Sequence, residues 1–155
     1  GTRYLLLSLN TFGDDMDITW QSMNDKFNAD LANGLGNLVA RVSNLLEKNK
    51  ITIKIEDSNK DFQDRFSKQM EVFRTDEAIK IIWEKLRQCD EAITSKQPWK
   101  LSDAMEIKII LEPITQDITD SAKLLSPIMP EISEKIIKIF TAEEVKKGES
   151  LFPRI

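Results

Sequence analysis

Two long stretches of the chain repeat apolar residues at intervals of three and four, and this spacing restricts the fold more than any other feature. Ile79, Ile82, Leu86, Cys89 and Ile93 form one stripe; Ile107, Leu111, Ile114, Ile118, Ala122 and Leu125 form the other. At about 3.6 residues per turn, each set lies on one face of a helix. Such a face must be covered by other helices, so the pattern points to an all-α helical bundle. Phe27, Leu31, Leu35, Leu38, Val42 and Leu45 repeat the spacing within a helical pattern from Thr19 to about Lys48. Phe62, Phe66, Met70 and Phe73 carry another helix, and Ile132, Ile136, Ile139 and Phe140 a last long one. The expected architecture has about five helices.

Helix ends follow from the punctuation. Thr19, with Asp17 nearby, marks the first start, Asp57 or Ser58 caps the second helix, and Thr75 caps the third ahead of Asp76 and Glu77. That helix ends at Pro98, and Ser102 with Asp103 caps the next. Pro113 leaves the phase of its stripe intact, which predicts one kinked helix rather than two. Pro130 suits the first position of the last long helix. Thr141 and Glu144 have capping-box spacing, which predicts a further short helical turn. ITIKI (51–55) alternates like a strand but has no partner, so it reads as an extended connection. In domain terms, residues 1–17, including the turn-like FGDDMD, read as a linker or tail from an upstream part. Residues 18–147 form the bundle and 148–155 an extended tail.

Composition removes several kinds of chemistry. There is no histidine and one cysteine, Cys89, so a Cys/His zinc site is ruled out and no disulfide can close within the chain. No run approaches the ~20 apolar residues of a membrane span, and no signal peptide opens the chain. A cytoplasmic setting without a membrane partner is the expectation. The net charge of −4 argues against broad nucleic-acid binding but leaves room for a small local site. Acidic pairs such as Asp14 and Asp15, or Glu143 and Glu144, sit in turns and helix starts, where caps and helix dipoles account for them. No Gly-rich phosphate loop or nucleophile elbow is present.

Two places remain. Asn33, Asn37 and Arg41 follow one another at intervals of four, forming a polar stripe beside the apolar face. Amides and a guanidinium can read base edges or clamp phosphates. From spacing alone, a solvated polar face or a buried bundle network is the commoner explanation of such a stripe. Trp99 follows a helix-ending proline, where it can stack on an unpaired base or plug the end of the bundle. Trp20 and Trp83 keep apolar phase and read as core. Gly34 and Gly36 lie inside a helical pattern, where each costs about 1 kcal/mol relative to alanine; close packing or a close ligand would explain them.

Several of these segments, in this order, resemble the C-terminal helical domain of methionyl-tRNA synthetases, which are class I aminoacyl-tRNA synthetases. They are NADLANGLGNLVAR (28–41), QPW (97–99), LLSPIMPEISEKI (124–136) and LFPRI (151–155). RYLLLSLNTFGDDMDIT (3–19) resembles the segment joining the catalytic part to that domain. The resemblance implies an anticodon-binding bundle that recognises the CAU anticodon of methionine tRNA. It implies that Asn37 and Arg41 read the wobble cytosine, with Asn33 one turn earlier, and that Trp99 stacks on an anticodon base. The implied partners are methionine tRNA and the catalytic domain of the same parent chain, with no DNA. ATP would be used by the parent. The HIGH-like and KMSKS-like motifs are absent from these residues, so no catalytic, cofactor or metal residue is expected here. Asp90 and Ala92 stand where the family often has Asn and Tyr. Two other readings compete: the equivalent domain of a valine- or leucine-type synthetase, and a helical protein–protein module.

Overall fold

The computed structural model describes residues 1–9, 19–148 and 150–153. Among them the regular structure is entirely helical. It comprises α1 (Thr2–Leu9), α2 (Trp20–Lys26), a π-helical segment (Phe27–Gly36), α3 (Asn37–Lys48), α4 (Lys60–Glu71), α5 (Thr75–Lys96), a 3₁₀ turn (Pro98–Lys100), α6 (Ala104–Leu125) and α7 (Pro130–Thr141). The all-α bundle is as expected, with more helices than the five or so that the periodicity separates. FGDDMD, with Asp14, Asp15 and Asp17, lies outside the described residues, as do Arg154 and Ile155 of LFPRI.

The two long stripes form the centre. Every residue of both is buried, and α5 packs on α6, which packs on α7. Pro113 lies inside a single α6, as its phase predicts. Asp103 caps α6 by accepting from the Met105 amide, and Pro130 is the first residue of α7. Residues 51–55 are extended without a partner strand, and they bury Ile51 and Ile53.

This connection is pinned through Asp120, which is buried on α6. Its carboxylate accepts from the Ser58 hydroxyl at 2.8 Å, the Asn59 amide at 3.2 Å, Gln116 Nε2 at 3.0 Å and Lys123 Nζ at 3.3 Å. Ser58 is therefore committed to Asp120, and the cap of α4 is Asn59 rather than Asp57 or Ser58. Thr75 is likewise not a cap. Phe73 turns into the left-handed region (φ 58°) and delivers the chain into α5 with Arg74 in the cap position. Arg74 instead holds both oxygens of Asp76 at 3.1 Å. Thr141 ends α7 and donates its hydroxyl back to the Ile137 carbonyl at 2.8 Å, so it starts no further turn.

Two apolar residues expected inside lie outside. Phe73 is 71% exposed because α4 has ended at Glu71, and the left-handed turn swings the ring away from the helix face. Trp20 is 81% exposed: α2 buries no residue and contacts mainly the π-helical segment that follows it. Trp83 is half-buried, packed against the core. Its indole stacks on the ring of Tyr4 at 5.0 Å, which docks α1 onto α5. Tyr4 is fully buried, and its hydroxyl donates to Asp30 at 2.6 Å, tying α1 to the π-helical segment. Burial and the neighbouring Asp30 carboxylate push the Tyr4 hydroxyl far above its ordinary pKa.

Candidate nucleic-acid interface

Trp20 to Lys48 form one continuous helical rod that changes winding in the middle. Thr19 caps it through a reciprocal bond with Ser22. From Phe27 to Gly36 the winding widens to a π-helix, in which each amide reaches a carbonyl five residues back. Here the two glycines acquire a reason. A Cβ on Gly36 would sit 3.0 Å from the carbonyl oxygen of Leu31, five residues earlier, and 3.2 Å from the Phe152 ring. A Cβ on Gly34 would sit 3.2 Å from the Ala29 oxygen, again five residues earlier. The close approach comes from the wide turn itself and, at Gly36, from the tail folding back. Phe152 is buried and meets Phe27 edge-on at 6.1 Å.

The change of winding sets where the polar stripe points. Asn33 closes a wide turn and Asn37 opens α3, so the two amides stay on one side of the rod. Both line a groove of about 530 Å³ whose far wall is the tail, including Leu151, Phe152 and Pro153. Both are exposed. Asn33 also borders a smaller pocket of about 190 Å³ shared with Trp83 and Asp90.

Arg41, one turn further, faces α5 instead. Its Nη1 donates to Asp90, and its Nη2 lies 3.5 Å from the Thr94 hydroxyl. Its guanidinium carbon lies 5.7 Å from the centre of the Trp99 ring. The indole is placed by the end of α5. Gln97 takes a left-handed conformation (φ 45°), its amide returns to the Ile93 carbonyl, and Pro98 is buried beneath the turn. Trp99 itself is 47% exposed, so it does not plug the bundle.

The tertiary structure thus brings Arg41 and Trp99 together and sets Asn33 and Asn37 around an adjoining groove. Sequence reasoning did not identify Asp90 and Thr94 as the groups that hold Arg41. They lie 49 and 53 residues away, and helical spacing carries no signal over that distance. It also missed the tail as a wall of the groove. Glu143 and Glu144 are exposed, and the described residues contain no cluster of three or more potential metal ligands. No helix among the described residues is long and apolar enough to cross a membrane.

Comparison with known proteins adds a family to this geometry. The family described as tRNA synthetases class I (M) matches residues 1–43. A methionine–tRNA ligase of Clostridium acetobutylicum is 28% identical over 99% of this chain, and one of Kineococcus radiotolerans is 28% identical over 89%. The chain spans only 29% and 25% of the lengths of those two relatives. In fold it resembles the apo methionyl-tRNA synthetase of Mycobacterium tuberculosis, with a TM-score of 0.83, 23% identity, and coverage of 99% of this chain and 38% of that one.

Proposed function

We propose that the chain, similar over 99% of its length to a methionine–tRNA ligase, is the part of such an enzyme that reads the CAU anticodon of methionine tRNA. The observation that carries this reading is the guanidinium of Arg41 lying over the half-exposed ring of Trp99. An exposed indole is a platform for an unstacked base, and stacking is worth about 1–3 kcal/mol per base. A guanidinium beside that platform is placed to donate to the acceptors of the stacked base, as cytosine recognition requires. Asn37 and Asn33 add amide donors and acceptors from the same side of the rod, along a groove wide enough for a neighbouring nucleotide.

In this reading the chain binds and does no chemistry. ATP-dependent attachment of methionine belongs to a catalytic domain of the same parent chain, in a cytoplasmic setting, and this stretch holds no cofactor. Relatives that are methionine–tRNA ligases favour methionine over a valine- or leucine-type anticodon.

The test is a titration with an anticodon stem-loop bearing CAU, beside one with the wobble cytosine changed to G. The wild-type chain should prefer the CAU loop. Trp99→Ala should lose about 1–3 kcal/mol of affinity. Arg41→Ala should lose a similar amount and relax the choice at the wobble base. Equal affinity of the wild-type chain for both loops would refute the assignment.

A further inference from the structure

Arg41 is the cation that lies against Trp99, and it is already paired; Lys147 and Arg87 line the adjoining groove and pocket. Asp90 accepts from its Nη1, Thr94 Oγ1 lies beside its Nη2, and the indole of Trp99 lies under the group. Asp90 and Thr94 are one turn apart on α5, so a single rigid helix provides both partners. A guanidinium has five N–H donors, so these two contacts leave it others to offer an incoming base. What the pairing removes is net charge. An unpaired arginine on an exposed edge attracts phosphate wherever the backbone passes, and that attraction carries no sequence information. An arginine neutralised by a carboxylate keeps its directional donors and loses most of its pull on phosphate.

Resting on the anticodon-binding reading, we propose that Asp90 is a positioning and specificity-determining residue: by pairing with Arg41 it holds the guanidinium over Trp99 and reserves it for an uncharged base edge rather than for phosphate. Three features of the molecule agree. The side chains of Arg41 and Asp90 are 29% and 50% exposed, and an ion pair so open to water contributes little to stability. Its geometry is nonetheless fixed at three points, by Asp90, Thr94 and Trp99. The chain as a whole carries a net charge of −4, so recognition by general electrostatic attraction is weak from the start. A site on such a chain gains selectivity if the cation beside its stacking platform is directional.

Asp90→Asn separates this role from a structural one, because it keeps the shape and removes the charge. Binding of the 155-residue chain and of the variant to the CAU and GAU stem-loops is measured over a series of salt concentrations, with Tm recorded for both proteins. The expected result has three parts. The Tm stays within about 2 °C, in line with an exposed pair. The slope of log affinity against log salt steepens by about 0.7, the value for one added phosphate contact on a single strand. Binding to the GAU loop tightens several-fold while binding to the CAU loop changes less, so the preference between loops shrinks.

An unchanged slope together with an unchanged preference would overturn the proposal. So would an equal loss of affinity for both loops at constant slope, which is what a merely supporting residue would give. If the wild-type chain shows no preference between the loops, the anticodon reading fails. A preference that survives Asp90→Asn at an unchanged slope leaves that reading intact and defeats this one.

Discussion

Pro113 in α6 and Gly36 in the π-helical segment are both residues that helix interiors disfavour, yet the two helices accommodate them on opposite sides. Pro113 is exposed, and the carbonyl its missing amide would have met belongs to Ile109, itself 64% exposed. That side of α6 is open to solvent, and the apolar stripe on the other side continues undisturbed. Gly36 lies on the packed side, between the carbonyl of Leu31 and the ring of Phe152. Those neighbouring atoms leave little room for a side chain at Gly36. An interruption facing solvent leaves the fold as the periodicity describes it. One packed against a neighbouring ring decides which surface is presented next, here the groove lined by Asn33 and Asn37.

The comparison can be broken most forcefully in the core of α6. If its stripe carries the shared interior despite the proline, Ile118→Ala should cost about 2–5 kcal/mol by chemical denaturation. A loss well under 1 kcal/mol would mean that α6 is peripheral. On the other side, Gly36→Ala should cost about 1–3 kcal/mol through overpacking. Gly34→Ala faces a single carbonyl contact at 3.2 Å and is exposed. There the gain of roughly 1 kcal/mol in helix propensity offsets the crowding, so the net change should be near zero. Thermal melts that shift equally for the two glycine variants would contradict the assignment of Gly36 alone to the packed side.

Smaller effects sharpen the contrast. Pro113→Ala restores one hydrogen bond, worth about 1 kcal/mol, and frees the unfolded chain, which costs about 0.4–1 kcal/mol. The net change should stay within about 1 kcal/mol, against the ~3 kcal/mol expected of a proline that damages its helix. A separate effect is a dependence on pH. Burial pushes the Cys89 thiol from its ordinary 9.0 up to about 12, with the Asp117 carboxylate adding to the rise and Lys85 opposing it. The folded chain holds this proton more tightly than the unfolded one. The associated stability is complete below pH 9.0 and is lost as pH rises toward about 12. Tyr4 acts in the same direction. Melting curves between pH 9 and 11 should therefore fall, and less steeply for Cys89→Ala.

Most of the fold was legible because its helices are amphipathic and clearly punctuated. The stripes of α5 and α6, the proline at the start of α7, and the caps Thr19 and Asp103 all follow from local chemistry. The errors share a cause. Phe73 and Trp20 are in apolar phase but outside the packed interior, and periodicity reports phase rather than contact. Ser58, Thr75 and Thr141 are good capping residues in isolation, but Ser58 is engaged by Asp120, Thr75 sits one position inside its helix, and Thr141 bonds back into α7. At the candidate site the residue types and their spacing could be read, whereas their partners could not.

By itself, the sequence determined that the chain is a helical bundle, where its helices from Trp20 onward begin and end to within a few residues, and which polar and aromatic residues stand out as a candidate site; it did not announce α1. The tertiary structure alone decided that the first long helix widens into a π-helix around its glycines, that the tail returns to wall a groove, and that Arg41 turns to Asp90 and Trp99. The physical reason is one of range. Hydrogen bonds and apolar spacing within a helix act over three to five residues and are written in the local sequence. The pairing of Arg41 with Asp90, 49 residues away, exists only once α3 and α5 have packed.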